Sequence, residues 1–171
     1  MKKKVRLRNY RESDLEDLHV TLSDEATKRY FFRMYTTYKE QSELRLKMRL
    51  MHQEFGNTST CAVEDFWTRK YVGEVSGHFS EEEPTTFEML VIIHPDFRGQ
   101  GYAKAATMEY MKKALREHSN IEKFRLEIAE SNSASKSVAK KLEFDFIRYK
   151  KSKSESSEKM EYWEKDADLI K

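Results

Sequence analysis

In the first part of the chain, the spacing of apolar residues changes from every second position to a helical period. Val5 and Leu7 alternate with arginines, which predicts a short strand. Residues 13–16, Ser-Asp-Leu-Glu, have the capping-box pattern, in which a hydroxyl and a carboxylate bind backbone N–H groups at a helix start. We therefore predict a first helix, with these apolar residues on one face: Leu15, Leu18 and Leu22.

A second helix is predicted by the same two signals further along the chain. Residues 37–40, Thr-Tyr-Lys-Glu, repeat the capping pattern, and Gly56–Asn57 is a helix stop signal. The apolar residues between these signals recur at helical spacing: Leu44, Met48, Met51 and Phe55. This stripe is expected to be the face of the helix that packs against the core.

The rest of the chain is predicted to form strands interrupted by two more helices. Strand-like patterns occupy 58–68, 71–80, 87–93, 124–128, 144–149 and 160–164, the last two forming a hairpin around a polar loop at 150–159. One helix over 98–118 has the apolar face Ala103, Ala106, Tyr110 and Ala114, and a shorter one has Ser135, Val138, Ala139 and Leu142. The order β-α-α-β-β-β-α-β-α-β-β predicts an α/β (α+β) domain with a mixed sheet.

Length and composition restrict the class of protein. A chain of 171 residues fits one domain, 1–171, and ten Phe argue for a buried core despite 36% charged residues. Lys and Arg number 32 against 30 Asp and Glu, so neither nucleic acid nor an anionic membrane is an expected partner. The single cysteine, Cys61, excludes an internal disulfide and a multi-cysteine zinc site. The basic start lacks the apolar stretch of a signal peptide, so a cytoplasmic location is expected.

The clearest chemical signal lies at 91–103, where a buried strand is followed by a proline, two glycines and a helix. Gly99 and Gly101 allow a positive φ and a close approach of the backbone to a ligand. The N–H groups at the helix start have no intrahelical partner and lie at the positive end of the helix dipole. The segment therefore predicts an anion site suited to a phosphate or a pyrophosphate.

The spacing of this segment excludes two common phosphate motifs. The chain has no G-x-x-x-x-G-K-[ST] loop, and the dinucleotide fingerprint fails because Lys104 stands three positions after Gly101. The spacing Arg98-x-x-Gly101-x-Ala103 instead resembles the [QR]-x-x-G-x-[GA] signature of the GCN5-related N-acetyltransferases, the GNAT family. In that family the motif binds the pyrophosphate of coenzyme A. The alternative is an ordinary helix-opening loop with turn glycines.

The resemblance extends over most of the chain. Residues 5–8 and 12–14 look like the family's first strand and turn, and 132–144 resembles its N-x-x-[SA]-x-x-x-x-x-K-x-G-F segment. The ribosomal-protein and small-amine type is the most similar subgroup. Glu143 departs from the pattern, because the family usually has glycine there, and the turn is expected to be made differently. Ala139 stands where many members carry a tyrosine that protonates the leaving thiolate.

The resemblance implies a mixed, mostly antiparallel, seven-stranded sheet with about four helices packed on both faces. It also implies an acetyl-CoA-dependent N-acetyltransferase that moves acetyl to a primary amine, on a small molecule or a protein N-terminus, by direct attack in a ternary complex. No metal is implied. The residues implied to bind acetyl-CoA are Val91 and Ile93 through their backbone, Arg98, Gly99, Gln100, Gly101, Tyr102, Ala103 and Lys104 at the pyrophosphate, and Asn132 and Ser135 at the cofactor arm.

The catalytic base is the open point of this interpretation. Glu88 lies near the start of the central strand, where several family members place a base, and an exposed strand-end carboxylate is the alternative. Glu74 and Glu130 are weaker candidates, and His94 before Pro95 is expected to be structural. Aromatic residues between the first two helices either pack the core or wall the acceptor site: Tyr30, Phe31, Phe32, Tyr35 and Tyr38.

A second functional class also fits the pattern. A non-catalytic acyl-CoA-binding or sensing domain would keep the same fold, and the departures at Ala139 and Glu143 keep this alternative open. The two classes predict the same cofactor binding but differ in turnover. The sequence also leaves a homodimer open.

Overall fold

A computed structural model describes residues 3–31, 33–56, 59–150 and 158–170 of the chain. Its strands are β1 (Val5–Arg8), β2 (Thr60–Asp65), β3 (Tyr71–Phe79), β4 (Thr86–Ile93), β5 (Lys123–Ala129), β6 (Asp145–Tyr149) and β7 (Met160–Asp166). They form one sheet in the order β1-β2-β3-β4-β5-β7-β6, in which β4 and β5 are parallel. The pairs β1–β2, β2–β3, β5–β7 and β7–β6 are antiparallel. The predicted mixed, mostly antiparallel, seven-stranded sheet is confirmed.

The described ranges contain five α-helices rather than about four. They are α1 (Leu15–Ser23), α2 (Glu25–Tyr30), α3 (Lys39–Glu54), α4 (Tyr102–Glu117) and α5 (Ser133–Lys141). The additional helix is α2, which begins after Asp24. The carboxylate of Asp24 accepts hydrogen bonds from the N–H groups of Ala26 and Thr27, the arrangement expected of an N-cap. None of the helices in these ranges is long and apolar enough to cross a membrane.

Both predicted capping boxes mark a helix start but involve other residues. α1 begins at Leu15, and the carboxylate that precedes it belongs to Asp14, which accepts the N–H of Arg11 at 2.8 Å. At the start of α3, Gln41 Oε1 accepts the N–H of Tyr38 at 3.1 Å. Both helices begin one residue later than the pattern predicts, a usual error for helix ends.

The apolar stripe of α3 faces away from the interior, so the predicted packing of this helix was wrong. Leu44 and Phe55 are 61% and 83% exposed, and Met48 and Met51 are 47% and 46% exposed. The buried residues of α3 are instead Ser42, Leu46 and Arg49. The helix is oriented in this way because the Arg49 guanidinium is buried against the carboxylate of Glu74.

The chain divides into two compact units, and the first comprises Met1–Ser76 and Val91–Glu109. Its apolar core contains Leu18, Leu22, Leu46, Val63, Val72 and Val75, all buried. A polar cluster lies in the same interior, where Glu74 Oε2 accepts the hydroxyl of Tyr10 at 2.7 Å and pairs with Arg49 Nη2 at 2.7 Å. Burial, together with the charge of Glu74, raises the pKa of Tyr10 well above its usual range. This cluster compensates the buried charges of Glu74 and Arg49.

The second unit comprises Gly77–Leu90 and Tyr110–Lys171. Here β4 pairs with β5 from Thr86 opposite Lys123 to Met89 opposite Leu126. Its core is aromatic, since the Phe87 ring lies 6.1 Å from that of Phe124 in an edge contact. Residues buried with them include Tyr110, Met111, Leu142 and Trp163. The predicted hairpin of the last two strands is confirmed as β6 and β7.

The turn after α5 keeps the geometry of a glycine turn although the residue is glutamate. Glu143 has a φ of 62°, in the left-handed region. The N–H of Phe144 bonds to the carbonyl of Ala139, and the N–H of Glu143 bonds to that of Lys140, both at 3.0 Å. This is the Schellman arrangement that usually ends in glycine. The expectation of a differently made turn was therefore wrong, because the backbone conformation is retained.

Candidate functional site

The loop between β4 and α4, in the first unit, has the backbone geometry of an anion site. β4 ends at Ile93, a short 3-10 turn covers Pro95–Phe97, and α4 begins at Tyr102. Gly99 and Gly101 have φ values of 71° and 91°, which residues with a Cβ rarely adopt. The first turn of α4 carries no acidic side chain, so the positive end of its dipole keeps its attraction for anions.

Arg98 is bound to the protein on both sides of its guanidinium. Nε donates to the carbonyl of Ile93 at 3.0 Å, and Nη1 pairs with Asp24 Oδ2 at 2.7 Å. Burial alone would raise the pKa of Asp24, but the bonds from Arg98 and from the N–H groups of Ala26 and Thr27 lower it. Arg98 thus connects the end of β4 with the start of α2 and keeps its charge beside the loop.

Tyr102 is a binding candidate whose side chain has a structural role. It is only 4% exposed, and its hydroxyl donates to Asp65 Oδ2 at 2.7 Å and accepts from Lys3 Nζ at 3.2 Å. Burial, then the bond to Asp65, raises the pKa of Tyr102. Burial of Asp65 acts to raise its pKa as well, but bonds from Thr68 and Tyr102 outweigh this and lower it to about 2. These contacts anchor the first turn of α4, so a ligand contact from Tyr102 would use its backbone N–H.

The other candidates of the loop lie in the same unit. Gln100 Nε2 donates to the carbonyl of Asp96 at 2.8 Å, which stabilises the turn before the glycines. Lys104 is exposed, whereas Ala103 and Val91 are partly buried. The structure therefore brings together the end of β4, both glycines, two basic side chains and the start of α4. This set has the charge and the backbone donors that a diphosphate requires.

Glu88, the candidate base, lies in the second unit and has two charged or titratable neighbours. Its Oε1 accepts Arg125 Nη1 at 3.2 Å, and its Oε2 lies 3.5 Å from Nε2 of His78. The side chain of Glu88 is 23% exposed, so water reaches it. It is therefore neither a desolvated carboxyl group nor an isolated strand-end carboxylate.

Arg125, which no sequence pattern singled out, organises this part of the second unit. Its side chain is 1% exposed, and Nη2 pairs with Glu83 at 2.7 Å and with Glu164 at 2.5 Å. Burial alone would lower the pKa of Arg125, but its bonds to Glu83 and Glu164 raise it. The available signal was an arginine between two apolar residues in an inner strand, because a charge there requires partners.

The two cofactor-arm candidates lie at the start of α5. Asn132 is the N-cap, and its Oδ1 accepts the N–H of Ser135 at 3.1 Å. Asn132 is 6% exposed, whereas Ser135 is partly exposed. The side-chain oxygen of Asn132 therefore has a structural role as the cap of α5. A contact with a ligand would use its Nδ2. Ala139, on the same helix, is fully buried and supplies no acid.

The weaker candidates have structural explanations. Glu74 belongs to the buried cluster with Tyr10 and Arg49 described above. Glu130 is exposed and accepts the hydroxyl of Tyr149 at 2.9 Å. His94 is buried, and its Nδ1 accepts the N–H of Asp96 at 3.2 Å, as expected of a structural residue. Among residues 3–31, 33–56, 59–150 and 158–170, no group of three or more His, Cys, Asp or Glu is placed to hold a metal ion.

The aromatic residues between α1 and α3 differ in exposure. Tyr38 is 66% exposed, while Tyr30, Phe31 and Tyr35 are partly buried. Phe32 lies outside the described residues, as do Asn57 and Thr58 in the predicted helix stop and strand start, and 151–157 in the predicted polar loop.

Residues 4–145 match the model of the acetyltransferase (GNAT) domain. The chain therefore belongs to the GNAT family of acetyltransferases, and the family resemblance found in the sequence is confirmed. The enzyme class is acyltransferase. No curated protein sequence matches the chain.

Solved structures with the same fold include several acetyltransferases. A GNAT acetyltransferase from Bacillus anthracis is 19% identical with a TM-score of 0.80, and the match covers 98% of each chain. RimL, a ribosomal L7/L12 alpha-N-protein acetyltransferase in complex with coenzyme A, is 17% identical with a TM-score of 0.75, covering 95% of this chain and 94% of that one. Spermidine N-acetyltransferase from Vibrio cholerae, in complex with CoA and spermine, is 16% identical with a TM-score of 0.74, covering 98% of each chain.

Proposed function

We propose that this chain moves acetyl from acetyl-CoA to a primary amine, carried by a small molecule or by a protein N-terminus. The observation that carries the proposal is the pair of positive-φ glycines before α4, in a chain of the GNAT family. The names of the structural relatives include an alpha-N-protein acetyltransferase and a spermidine acetyltransferase, which supports testing both classes of amine.

The loop residues supply the proposed contacts with the diphosphate of the cofactor. Arg98 and Lys104 provide positive charge, and the backbone N–H groups from Gly99 to the first turn of α4 provide donors. The remaining proposed contacts use the backbone of Val91 and Ile93 and the side chains of Asn132 and Ser135. The carbonyl of Ile93 is already bonded to Arg98, so its contact would use another backbone group.

Acetyl-CoA, when bound, supplies the acetyl group as a thioester. In the proposed reaction the amine nitrogen forms the new C–N bond directly, and the C–S bond breaks so that coenzyme A leaves as its thiolate. No side chain serves as nucleophile. Cys61 is buried in β2 and takes no part. The proton lost by the amine goes to Oε2 of Glu88, directly or through water, because Oε1 is occupied by Arg125.

Cofactor binding is tested with two glycine variants, each of which places a Cβ at a positive φ. Gly101→Val places a β-branched side chain at a φ of 91° in the loop, and Gly56→Val does so at 77° after α3. In wild type, coenzyme A at a hundredfold excess over Kd should stabilise the fold by about 2.7 kcal/mol. The stabilisation should be lost in Gly101→Val and kept in Gly56→Val. Equal stabilisation of all three proteins by coenzyme A would refute the assigned site.

The role of Glu88 is tested against a neighbouring carboxylate. Glu88→Gln should lower kcat by about 10²–10⁴-fold, the usual range of general-base effects. Glu83→Gln removes a charge from the same guanidinium and should leave kcat within a few-fold of wild type. Coenzyme A affinity should be unchanged in both variants. A similar loss of kcat in both variants would show that Glu88 affects the reaction only through Arg125.

A non-catalytic acyl-CoA-binding domain is the second candidate, and two observations favour it. The Glu88 carboxylate is paired with Arg125, and the buried Ala139 supplies no acid for the thiolate. The two candidates are separated by free-thiol release from acetyl-CoA, measured with peptides bearing a free α-amine and with polyamines. Release that depends on the amine establishes the transferase. Coenzyme A binding without release on any amine of the panel would favour the sensing domain.

A further inference from the structure

Lys3, in the segment that precedes β1, reaches the start of α4 within the first unit. Its Nζ donates to the hydroxyl of Tyr102 at 3.2 Å and lies 4.6 Å from the centre of the Tyr102 ring. Its Cγ would lie 3.8 Å from a Cβ built at Gly101. Lys3 therefore lies beside the glycine loop that is proposed to bind the diphosphate, although no sequence motif includes it.

The ammonium group of Lys3 keeps its charge available for a ligand. Among the described residues, no carboxylate forms an ion pair with it, and its one polar contact is the neutral hydroxyl of Tyr102. An ammonium group has more N–H donors than this contact uses. The carboxylate of the region, Asp65, is itself bonded to that hydroxyl and to the N–H groups of Trp67 and Thr68.

This position is unfavourable for a cation unless an anion binds beside it. The start of a helix is the positive end of its dipole, which repels an ammonium group. The first turn of α4 has no acidic side chain to offset this repulsion, and the exposed Lys104 adds a further positive charge. Arg98 differs, because its Nη1 pairs with Asp24 at 2.7 Å. Lys3 thus supplies positive charge that no described carboxylate pairs with.

We infer that Lys3 binds a phosphate group of coenzyme A through its Nζ. The inference rests on the proposed function, because coenzyme A is the ligand that brings phosphate to this loop. The cofactor carries a diphosphate and a 3′-phosphate, and the point charge of a lysine suits either group. Lys3 precedes residues 4–145, so the match to the GNAT model does not include it.

The contact is tested with the same substitution at two neighbouring lysines. Lys3→Met removes the charge and keeps an unbranched side chain. Lys4→Met is the matched control, because Nζ of Lys4 lies 4.1 Å from the centre of the Phe66 ring and makes no contact with α4. At low salt, Lys3→Met should raise the Kd of coenzyme A in calorimetric titration by about tenfold, the loss expected for one charge-assisted hydrogen bond. Lys4→Met should change the Kd by less than about twofold, as expected of an exposed charge.

Two smaller ligands identify the phosphate that Lys3 binds. Dephospho-coenzyme A lacks the 3′-phosphate, and pantetheine has no phosphate. If Lys3 binds the diphosphate, the difference in Kd between wild type and Lys3→Met persists with dephospho-coenzyme A. If it binds the 3′-phosphate, the difference disappears with that ligand, because wild type then lacks the contact as well. Pantetheine should bind equally to both proteins, and weaker binding of pantetheine to Lys3→Met would overturn the inference.

A second variant and the kinetics separate binding from a structural role of Lys3. Lys3→Arg keeps the positive charge and should recover most of the affinity that Lys3→Met loses. With a productive amine, Lys3→Met should raise KM for acetyl-CoA and leave kcat unchanged at saturating cofactor. A lower Tm of ligand-free Lys3→Met with an unchanged Kd would show that the lysine only stabilises Tyr102 and Asp65, and would overturn the inference.

The remaining outcomes distinguish this inference from the proposed function. Equal Kd values for wild type and Lys3→Met would overturn the inference, as would an equal loss of affinity in Lys4→Met, which would show a general effect of charge. If Gly101→Val loses coenzyme A binding while Lys3→Met binds like wild type, the cofactor site is kept and only the role of Lys3 is refuted. If wild type does not bind coenzyme A, both are refuted.

Discussion

Replacing Glu143 by glycine should stabilise the turn after α5. Glu143 is held at a φ of 62° by the Schellman bonds of its own N–H and that of Phe144. A residue with a Cβ pays about 1–2 kcal/mol for this left-handed conformation, because Cβ approaches the following carbonyl oxygen. Glycine avoids this penalty but loses more backbone freedom on folding, which costs about 0.5–1 kcal/mol.

The carboxylate of Glu143 complicates a direct comparison with wild type. It lies 3.4 Å from Nζ of Lys165 and is 88% exposed, so the ion pair is screened by water and worth about 0–1 kcal/mol. Glu143→Ala removes the same carboxylate and keeps the Cβ, and it is therefore the reference. The net expectation is that Glu143→Gly is more stable than Glu143→Ala by about 0.5–1 kcal/mol.

The difference is measured by urea unfolding and by thermal melting of both variants. For a domain of this size, 1 kcal/mol corresponds to about 2–4 °C in Tm, so glycine should melt roughly 1–4 °C above alanine. Ser137 is an exposed residue within α5, and it provides the control. At that position the order should reverse, with alanine more stable than glycine by about 1 kcal/mol. If alanine is also the more stable residue at 143, the backbone at this turn carries no left-handed strain and the reasoning is refuted.

Two further predictions concern buried carboxylates of the first unit. Glu74→Ala leaves the Arg49 guanidinium buried without its partner, so it should cost about 3–5 kcal/mol in urea unfolding, against about 0.5 kcal/mol or less for Glu130→Ala at the surface. A cost below 1 kcal/mol at Glu74 would contradict the buried pair. The folded-state pKa of Asp65 is about 2, below its ordinary 3.8, so its stabilising contribution is present above pH 4 and is lost as pH falls toward 2. Asp65→Asn should have a shallower fall of Tm over this range, and an unchanged slope would show that Asp65 does not contribute.

The amino-acid sequence by itself was sufficient to predict the strands, the glycine loop before α4 and the GNAT family. Strand and helix periods arise from local geometry, so β1, β4 and the final hairpin were found from alternation and apolar runs alone. The two glycines before α4 were also found from local sequence, because the ability to adopt a positive φ depends on the residue type at a single position. Gly99 and Gly101 both have a positive φ. The motif spacing around them was sufficient to recognise the family that the match over 4–145 confirms.

Only the tertiary structure decided which side of α3 is buried and what surrounds Glu88. The strongest apolar stripe of α3 lies outside, because Arg49 on the opposite face pairs with Glu74, 25 positions later in the chain. Likewise, Arg125 reaches Glu88 from a strand 37 positions away. Such pairs join residues that are distant in sequence, and their energy depends on burial that no local pattern reports. Hydrophobic periodicity therefore identified the helix correctly, while buried ion pairs determined its orientation and the environment of the candidate base.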